Sequence, residues 1–181
     1  MDYVKKVREI VENCIESRKA FDAAIAEAQH DESLSGKGIA DKVALLRCQR
    51  DECIVAAHKA LLGLKDEFIA AAEKSNLISG DMNNDDAAIF MSGIELSVSQ
   101  FEDIANRNKD NPFVLALAHK YIDEHKGFVA SLPLSTAQVI SNFVDFSDRA
   151  CNMIYEPAES IRLAYFLDER RFNPEGCDRI S

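Results

Sequence analysis

Glycine and proline are scarce in this chain, with seven and four residues among 181. Both residues interrupt helices, so their scarcity, together with 29% charged residues, favours a helical fold. Apolar residues make up 47% of the composition, which excludes a chain that stays disordered because it cannot form a core. We therefore expect a folded, almost wholly α-helical protein.

Long apolar runs are missing as well. The N-terminus, from Met1 to Lys6, leads directly into a charged amphipathic pattern and has no apolar segment of the kind found in secretion signals. No stretch approaches the roughly 20 apolar residues that a membrane-spanning helix needs. We therefore expect a cytosolic protein that neither enters nor crosses a membrane.

The five cysteines form no recognisable set. They are odd in number, widely spaced and without a CxxC pair, which argues against a disulfide framework and a zinc site and favours a reducing cytosol. Cys14, Cys53 and Cys151 lie in or beside apolar patterns, where we expect them to act as small buried hydrophobic residues. We expect Cys48 and Cys177 to be exposed.

Signatures of catalysis and of cofactor binding are absent too. The sequence has no phosphate-binding P-loop, no glycine-rich dinucleotide motif and no nucleophile elbow. His119 and His125 are six residues apart, so they do not share a helix face as the histidines of a zinc-binding HExxH motif do. We therefore predict no catalytic residue, no cofactor and no metal site, in a protein that is not an enzyme.

The balance of charge is acidic. The net charge is −10, and residues 76–181 contribute −8 of it. Proteins that bind nucleic acid directly need clustered cations, so this balance argues against such binding. It favours solubility and protein partners instead.

Two long apolar stripes dominate the first 75 residues. In each stripe, apolar side chains alternate at steps of three and four, the spacing of one face of an α-helix. The first consists of Val4, Val7, Val11, Cys14, Phe21, Ile25 and Ala28, and the second of Ile54, Ala57, Leu61, Leu64, Phe68 and Ala71. Two glycines and two serines between residues 31 and 38 predict the connecting loop. We therefore expect an antiparallel hairpin of helices of roughly 25 and 35 residues.

Five arginines are candidate interaction residues. Arg18 interrupts the first stripe, and either Arg47 or Arg50 interrupts the second. An arginine at such a position can extend outwards into solvent, or it can fix helix register and the choice of partner. Arg170 and Arg171 form an adjacent basic pair, which can be a docking site or can stabilise the C-terminal end of a helix.

Shorter helices are predicted after residue 84, and their starts carry capping residues. Asp85 is placed to cap the first of them, which should end near Gly93. Further starts are marked by Ser97 with Gln100, by Asn111 before Pro112, and by Ser135 with Gln138. The helix that begins at Pro112 should close at Gly127, where glycine can end a helix.

These patterns predict an all-α fold with a long antiparallel N-terminal hairpin and a small C-terminal helical bundle. The hairpin should occupy residues 1–75. A linker with a short helix should follow at 76–95, a small helical domain at 96–172, and a loose tail at 173–181.

The segment from Leu96 to Pro112, which ends in a Lys-Asp-Asn-Pro turn, and the stretch from Leu115 to His125 resemble a module in uncharacterised proteins of bacteriophages and prophages of Gram-positive bacteria. In those proteins, a similar helix, turn and second helix follow a long N-terminal helical hairpin. The resemblance implies a phage or prophage origin and a location in the bacterial host cytosol, either free or in the virion. It implies no catalytic residues.

Taken with the missing catalytic motifs, the resemblance favours a protein that acts by association, in phage head assembly or as a minor structural component. The hairpin is then the oligomerisation or docking element, and its partner is another protein or a second copy of the chain. The alternative is an acidic inhibitor of a host nucleic-acid-binding protein, an anti-defence factor whose acidic second half imitates phosphate groups.

Overall fold

The computed structural model describes residues 2–75, 84–109, 111–132, 134–169, 171–177 and 180. The described residues form the helices α1 (Tyr3–Gln29), α2 (Gly36–Ser75), α3 (Asp85–Met91), α4 (Val98–Arg107), α5 (Pro112–Glu124), α6 (Thr136–Met153) and α7 (Ile161–Leu167), and they contain no strand. The predicted all-α fold, with a long hairpin followed by smaller helices, is confirmed. Within these residues, no helix is both long and apolar enough to cross a membrane.

Helices α4, α5 and α6 begin at the predicted capping residues. Ser97 accepts a hydrogen bond from the Gln100 N–H at 3.3 Å, and the Gln100 side chain accepts one from the Ser97 N–H at 3.0 Å. Ser135 and Gln138 form the same reciprocal pair. The Asn111 side chain caps α5 immediately before Pro112. These local contacts satisfy N–H groups that no preceding helical turn can reach.

Two helix starts differ from the prediction. Gly36 and Gly38, expected in the loop, lie in the first turn of α2, because Ser35 accepts a hydrogen bond from the Gly38 N–H at 3.2 Å and so acts as the cap. Asn84, and not Asp85, caps α3. The predicted linker at 76–95 lies partly outside the described residues, which begin again at residue 84.

Helices α1 and α2 pair in antiparallel orientation. Three contacts follow the hairpin from its loop to its far end, and they join Asp31 to Lys42, Asp22 to Arg50, and Tyr3 to Phe68. Positions rise along α1 as they fall along α2, which defines the orientation. At a rise of about 1.5 Å per residue, α2 is about 60 Å long.

The contacts between residues divide the chain into two compact units. Unit 1 contains residues 1–68, 141–179 and 181, and unit 2 contains residues 69–140 and 180. The predicted boundaries at residues 75, 95 and 172 do not coincide with these limits. In particular, residues 141–172 group with the hairpin and not with residues 96–140.

The aromatic core of unit 1 explains this grouping. Phe68 of α2 and Phe143 of α6 are fully buried, and their rings stack with centroids 3.8 Å apart. Tyr3 of α1 meets both rings edge-on. Phe146 of α6 stacks on Phe166 of α7 at 4.9 Å. The apolar face of α6 is therefore covered by helices that are distant in sequence.

The C-terminal segment has contacts that the prediction of a loose tail did not include. The Phe172 ring packs against the rings of Phe146 and Phe166. The Asn142 side chain donates to the carbonyl of Glu175 at 3.1 Å. Burial of an aromatic ring anchors a segment whose composition is otherwise typical of a loop.

Unit 2 has a separate core built from α3, α4 and α5. Phe90 and Phe101 meet edge-on at 5.6 Å, and the Tyr121 hydroxyl accepts a hydrogen bond from the Leu96 N–H at 2.7 Å. Gly127 follows α5 with a φ of 93°, a backbone conformation that favours glycine. Helix α5 ends at Glu124 with His125 as its C-cap, three residues before the predicted closure at Gly127.

Candidate interaction surface

Arg18 is bound inside unit 1. Its Nη1 donates to the carbonyls of Ile154 at 2.6 Å and Glu156 at 2.9 Å. These carbonyls lie just beyond the last residue of α6, where helical carbonyl groups have no N–H partner and a cation is favoured. Arg18 therefore makes its contacts within unit 1, where its charge stabilises the end of α6.

Arg8 is a second internal arginine, and the sequence analysis missed it. Its side chain is buried, with Nε donating to the Phe166 carbonyl at 3.4 Å and Nη2 donating to the carbonyl of Phe172. The guanidinium carbon lies 5.4 Å from the ring centre of Phe146. Burial lowers the pKa of Arg8, which Glu169 opposes. Its position four residues after the buried Val4 was the signal that could have identified it.

The two arginines of the second stripe differ. Arg50 pairs with Asp22 of α1 at 2.9 Å and with Asp51 at 3.4 Å, and the hydrogen bond to Asp22 raises the pKa of Arg50. Arg47 is exposed, and within the described part of the chain it has no ion-pair partner. Arg50 therefore joins the two hairpin helices, whereas Arg47 offers a free charge.

The predicted basic pair is only partly described. Arg170 lies outside the described residues. Arg171 forms an ion pair with Asp168, the residue that follows α7, at 3.1 Å, and its carbonyl accepts from the Tyr165 hydroxyl at 3.2 Å. The charge of Arg171 is therefore engaged locally.

An apolar cleft of about 360 Å³ opens between α6, α7 and the segment that follows α7. Met153 of α6, Ile161, Tyr165 and Phe166 of α7, and Phe172 supply its apolar walls. Ile161 is 87% exposed and Tyr165 is 48% exposed at the rim. Large apolar side chains so close together are unusual on a surface without a function, and the volume is sufficient for one or two side chains of a ligand.

Two arginines border this cleft. The guanidinium of Arg149 lies 4.9 Å from the ring centre of Phe172, and among the described residues no carboxylate pairs with it. Arg162 is 81% exposed at its side chain and lies 3.6 Å from a carboxylate oxygen of Glu156. The cleft thus combines an apolar interior with a cationic rim on a chain whose net charge is −10.

Comparison with known proteins gives this cleft no precedent. No protein-family model, curated protein or solved structure matches the chain. Among the described residues, no group of three His, Cys, Asp or Glu side chains is placed to hold a metal ion.

The cysteines follow the predicted burial except at one position. Cys14 is buried, Cys53 and Cys151 are half-buried and Cys48 is exposed. Cys177, which was expected to be exposed, is buried, because Phe172 and Glu175 hold the segment that precedes it. Burial raises the pKa of Cys151, and proximity to Glu52 raises that of Cys48. These shifts favour neutral thiols, which are poor nucleophiles.

Stability at alkaline pH should depend on Cys14. Burial, and then the neighbouring Cys53 thiol, raise the pKa of Cys14 to about 11. The unfolded thiol ionises near 9.0, so this stabilisation is complete below that pH and is lost as the pH rises towards 11. We expect the free energy of unfolding of wild type to fall over this range by about 1–2 kcal/mol more than that of Cys14→Ala.

Urea denaturation followed by circular dichroism at several pH values measures this difference. Cys48→Ala is the control, because the Cys48 thiol is exposed, and it should alter the pH dependence less than Cys14→Ala does. Parallel pH profiles for wild type and Cys14→Ala would contradict the prediction.

Proposed function

We propose that this chain is a non-enzymatic protein-interaction protein whose partner docks in the cleft between α6 and α7. The observation that carries the proposal is the cationic, apolar cleft on an otherwise acidic chain. The proposal replaces the predicted arginine sites, because Arg18, Arg50 and Arg171 make contacts within unit 1.

The chemistry of the cleft defines the partner. Its walls accept an aliphatic or aromatic side chain, whose burial stabilises a complex by about 25 cal/mol per Å² of apolar surface. Arg149 is free to form a bidentate pair with a carboxylate, and its position over Phe172 holds the guanidinium plane in place. The expected partner segment therefore presents an apolar side chain next to Asp or Glu.

Selection from a display library of random 12-residue peptides on the full-length chain tests this chemistry. We expect the enriched peptides to contain an aliphatic or aromatic residue beside an acidic one. A synthetic peptide of the enriched sequence should bind Arg149→Glu at least tenfold more weakly than wild type, because charge reversal converts an attraction into a repulsion. Fluorescence anisotropy of the labelled peptide measures both affinities.

Lys126→Glu is the matched control, since Lys126 is an exposed cation of unit 2 and does not line the cleft. It should bind the peptide as wild type does. Equal affinity of Arg149→Glu and wild type, or no enrichment of peptides at all, would refute docking in the cleft. Enrichment of basic peptides would instead favour the acidic inhibitor of a host nucleic-acid-binding protein.

The assembly role and the phage or prophage origin remain part of the proposal. The segment that resembles phage proteins forms α4 and α5, a feature of fold that is compatible with many functions. We expect the protein in the host cytosol during infection or prophage induction, free or in the virion. Mass spectrometry of purified particles, and of the cytosol of the same cells, measures this distribution.

A further inference from the structure

The outer face of α2, opposite the seam with α1, carries exposed aliphatic side chains between charged ones. Its residues recur at steps of three and four along the helix, and all are exposed. We name this face the α2 ridge, and it consists of Leu45, Cys48, Glu52, Val55, Lys59 and Leu62. The exposed fractions of its three aliphatic side chains are 59%, 65% and 41%. Single exposed aliphatic residues are ordinary, but this spacing is that of a helix-pairing seam.

The seam towards α1 does not account for this pattern. The buried residues of α2 in unit 1 are Val43, Leu61, Leu64 and Phe68, and they face α1 and the aromatic core. A helix with one covered face needs only one apolar stripe, and its other face is normally polar. The α2 ridge therefore requires a separate explanation.

The charges on this face are self-complementary. Glu52 and Lys59 are exposed and lie on opposite sides of Val55 along the ridge. Within the described part of the chain, neither Glu52 nor Lys59 forms an ion pair. In an antiparallel pair of α2 helices with a two-fold axis near Val55, Glu52 of each copy faces Lys59 of the other.

Other arrangements of two copies fit less well. A parallel pair in register would place Glu52 against Glu52 and Lys59 against Lys59, which is repulsive. A parallel pair displaced by seven residues would align the opposite charges, but it would leave an open interface on each copy and would not close into a dimer. The two-fold antiparallel pair places opposite charges together and leaves no open interface, so it forms a closed dimer.

We propose that a second copy of this chain binds along the α2 ridge, forming an antiparallel dimer with its axis near Val55. This deepens the proposed assembly role by identifying one partner, and the ridge and the cleft have no residue in common. The three aliphatic side chains of each copy become covered, and the closed dimer contains two interchain Glu52–Lys59 ion pairs.

Analytical ultracentrifugation of the full-length chain over a range of concentrations tests the dimer. Val55→Asp should weaken self-association at least tenfold, because it places two carboxylates beside the axis. Val129→Asp is the matched control, since Val129 is 83% exposed in unit 2 and the substitution is identical. A wild-type chain that stays monomeric at all concentrations, or equal effects of the two variants, would overturn the proposal.

A charge exchange tests the orientation. Lys59→Glu alone should weaken the dimer, and adding Glu52→Lys in the same chain should restore it, because the pairs are then reversed but intact. Failure of the double variant to dimerise, while its helical circular dichroism matches wild type, would exclude the antiparallel pairing.

Crosslinking gives an independent measurement. In the proposed dimer, the two Cys48 residues are roughly 20 Å apart along the axis, too far for a disulfide. A Val55→Cys variant in a Cys48→Ser background should form an interchain disulfide when treated with oxidised glutathione, and wild type should not do so through Cys48. Crosslinking through Cys48 would contradict the proposal.

Val55→Asp should still bind the cleft peptide. Loss of dimerisation and loss of peptide binding in the cleft can therefore be distinguished.

Discussion

Replacement of Arg8 by methionine should lower the free energy of unfolding by about 3 kcal/mol. The guanidinium donates to the carbonyls of Phe166 and Phe172 and lies over the ring of Phe146. Methionine fills a similar volume but cannot donate, so both carbonyls lose their partner in a site with little access to water. Urea denaturation at constant protein concentration measures the loss.

Arg8→Lys separates the charge from the geometry of the donors. A lysine ammonium keeps the positive charge but does not reproduce the planar fork that reaches two carbonyls. We therefore expect the free energy of unfolding of Arg8→Lys to lie between the values for wild type and Arg8→Met. Arg47→Met is the matched control and should change stability by less than about 0.5 kcal/mol, since Arg47 is exposed. If Arg8→Met were as stable as wild type, the cost of burying the charge would equal the gain from its contacts.

Arg8 also connects stability to the cleft. The carbonyl of Phe172 accepts from Arg8, while its ring lines the cleft and lies beneath Arg149. A change at Arg8 therefore removes a contact that positions one wall of the cleft. Peptide binding should weaken in Arg8→Met even under conditions where the variant is fully folded.

Local patterns predicted the helices well, because the interactions that define a helix lie within a few residues. The caps at Ser97, Asn111 and Ser135 all depend on neighbours along the chain. The antiparallel hairpin followed from two stripes of matching length with a short connection. The errors are small, since α2 begins three residues before its predicted start and the cap of α3 is Asn84, the residue before Asp85.

The same local patterns could not predict contacts between residues that are distant in sequence. Arg8 and Phe172 are separated by 164 positions, and Arg18 and Ile154 by 136. A stripe shows that one face of a helix is buried, but it does not show which helix covers that face. Residues 141–172 were therefore predicted to group with residues 96–140, whereas their contacts group them with the hairpin. The contact of Arg18 was not predicted for the same reason, since the carbonyls that it binds belong to a helix end far along the chain.

The sequence did not predict the cleft either. The stretch from Ile161 to Leu167 is apolar almost throughout, so its sequence does not distinguish the side that packs on Phe146 from the side that stays open. Arg149 lies on a different helix, and its neighbourhood in sequence gave no indication of the Phe172 ring. Only the tertiary structure brings an unpaired cation to the edge of an apolar surface.

Replacement of Phe68 by alanine should have the largest effect on stability, a loss of about 3–5 kcal/mol in the free energy of unfolding. The ring is fully buried, stacks on Phe143 at 3.8 Å and meets Tyr3 at 5.3 Å. Alanine removes both ring contacts and leaves a cavity that the stacked partner cannot fill without moving. Urea denaturation followed by circular dichroism measures the change.

Phe21→Ala is the control that tests the role of tertiary packing. The sequence placed Phe21 and Phe68 in equivalent positions of the two apolar stripes, and their replacement removes the same atoms. Phe21 is only half-buried, so we expect a loss of about 1 kcal/mol. The ratio between the two losses measures what the aromatic core adds to a helical stripe. Equal losses would mean that the hairpin seam alone stabilises unit 1, and that the rings of α6 contribute little to it.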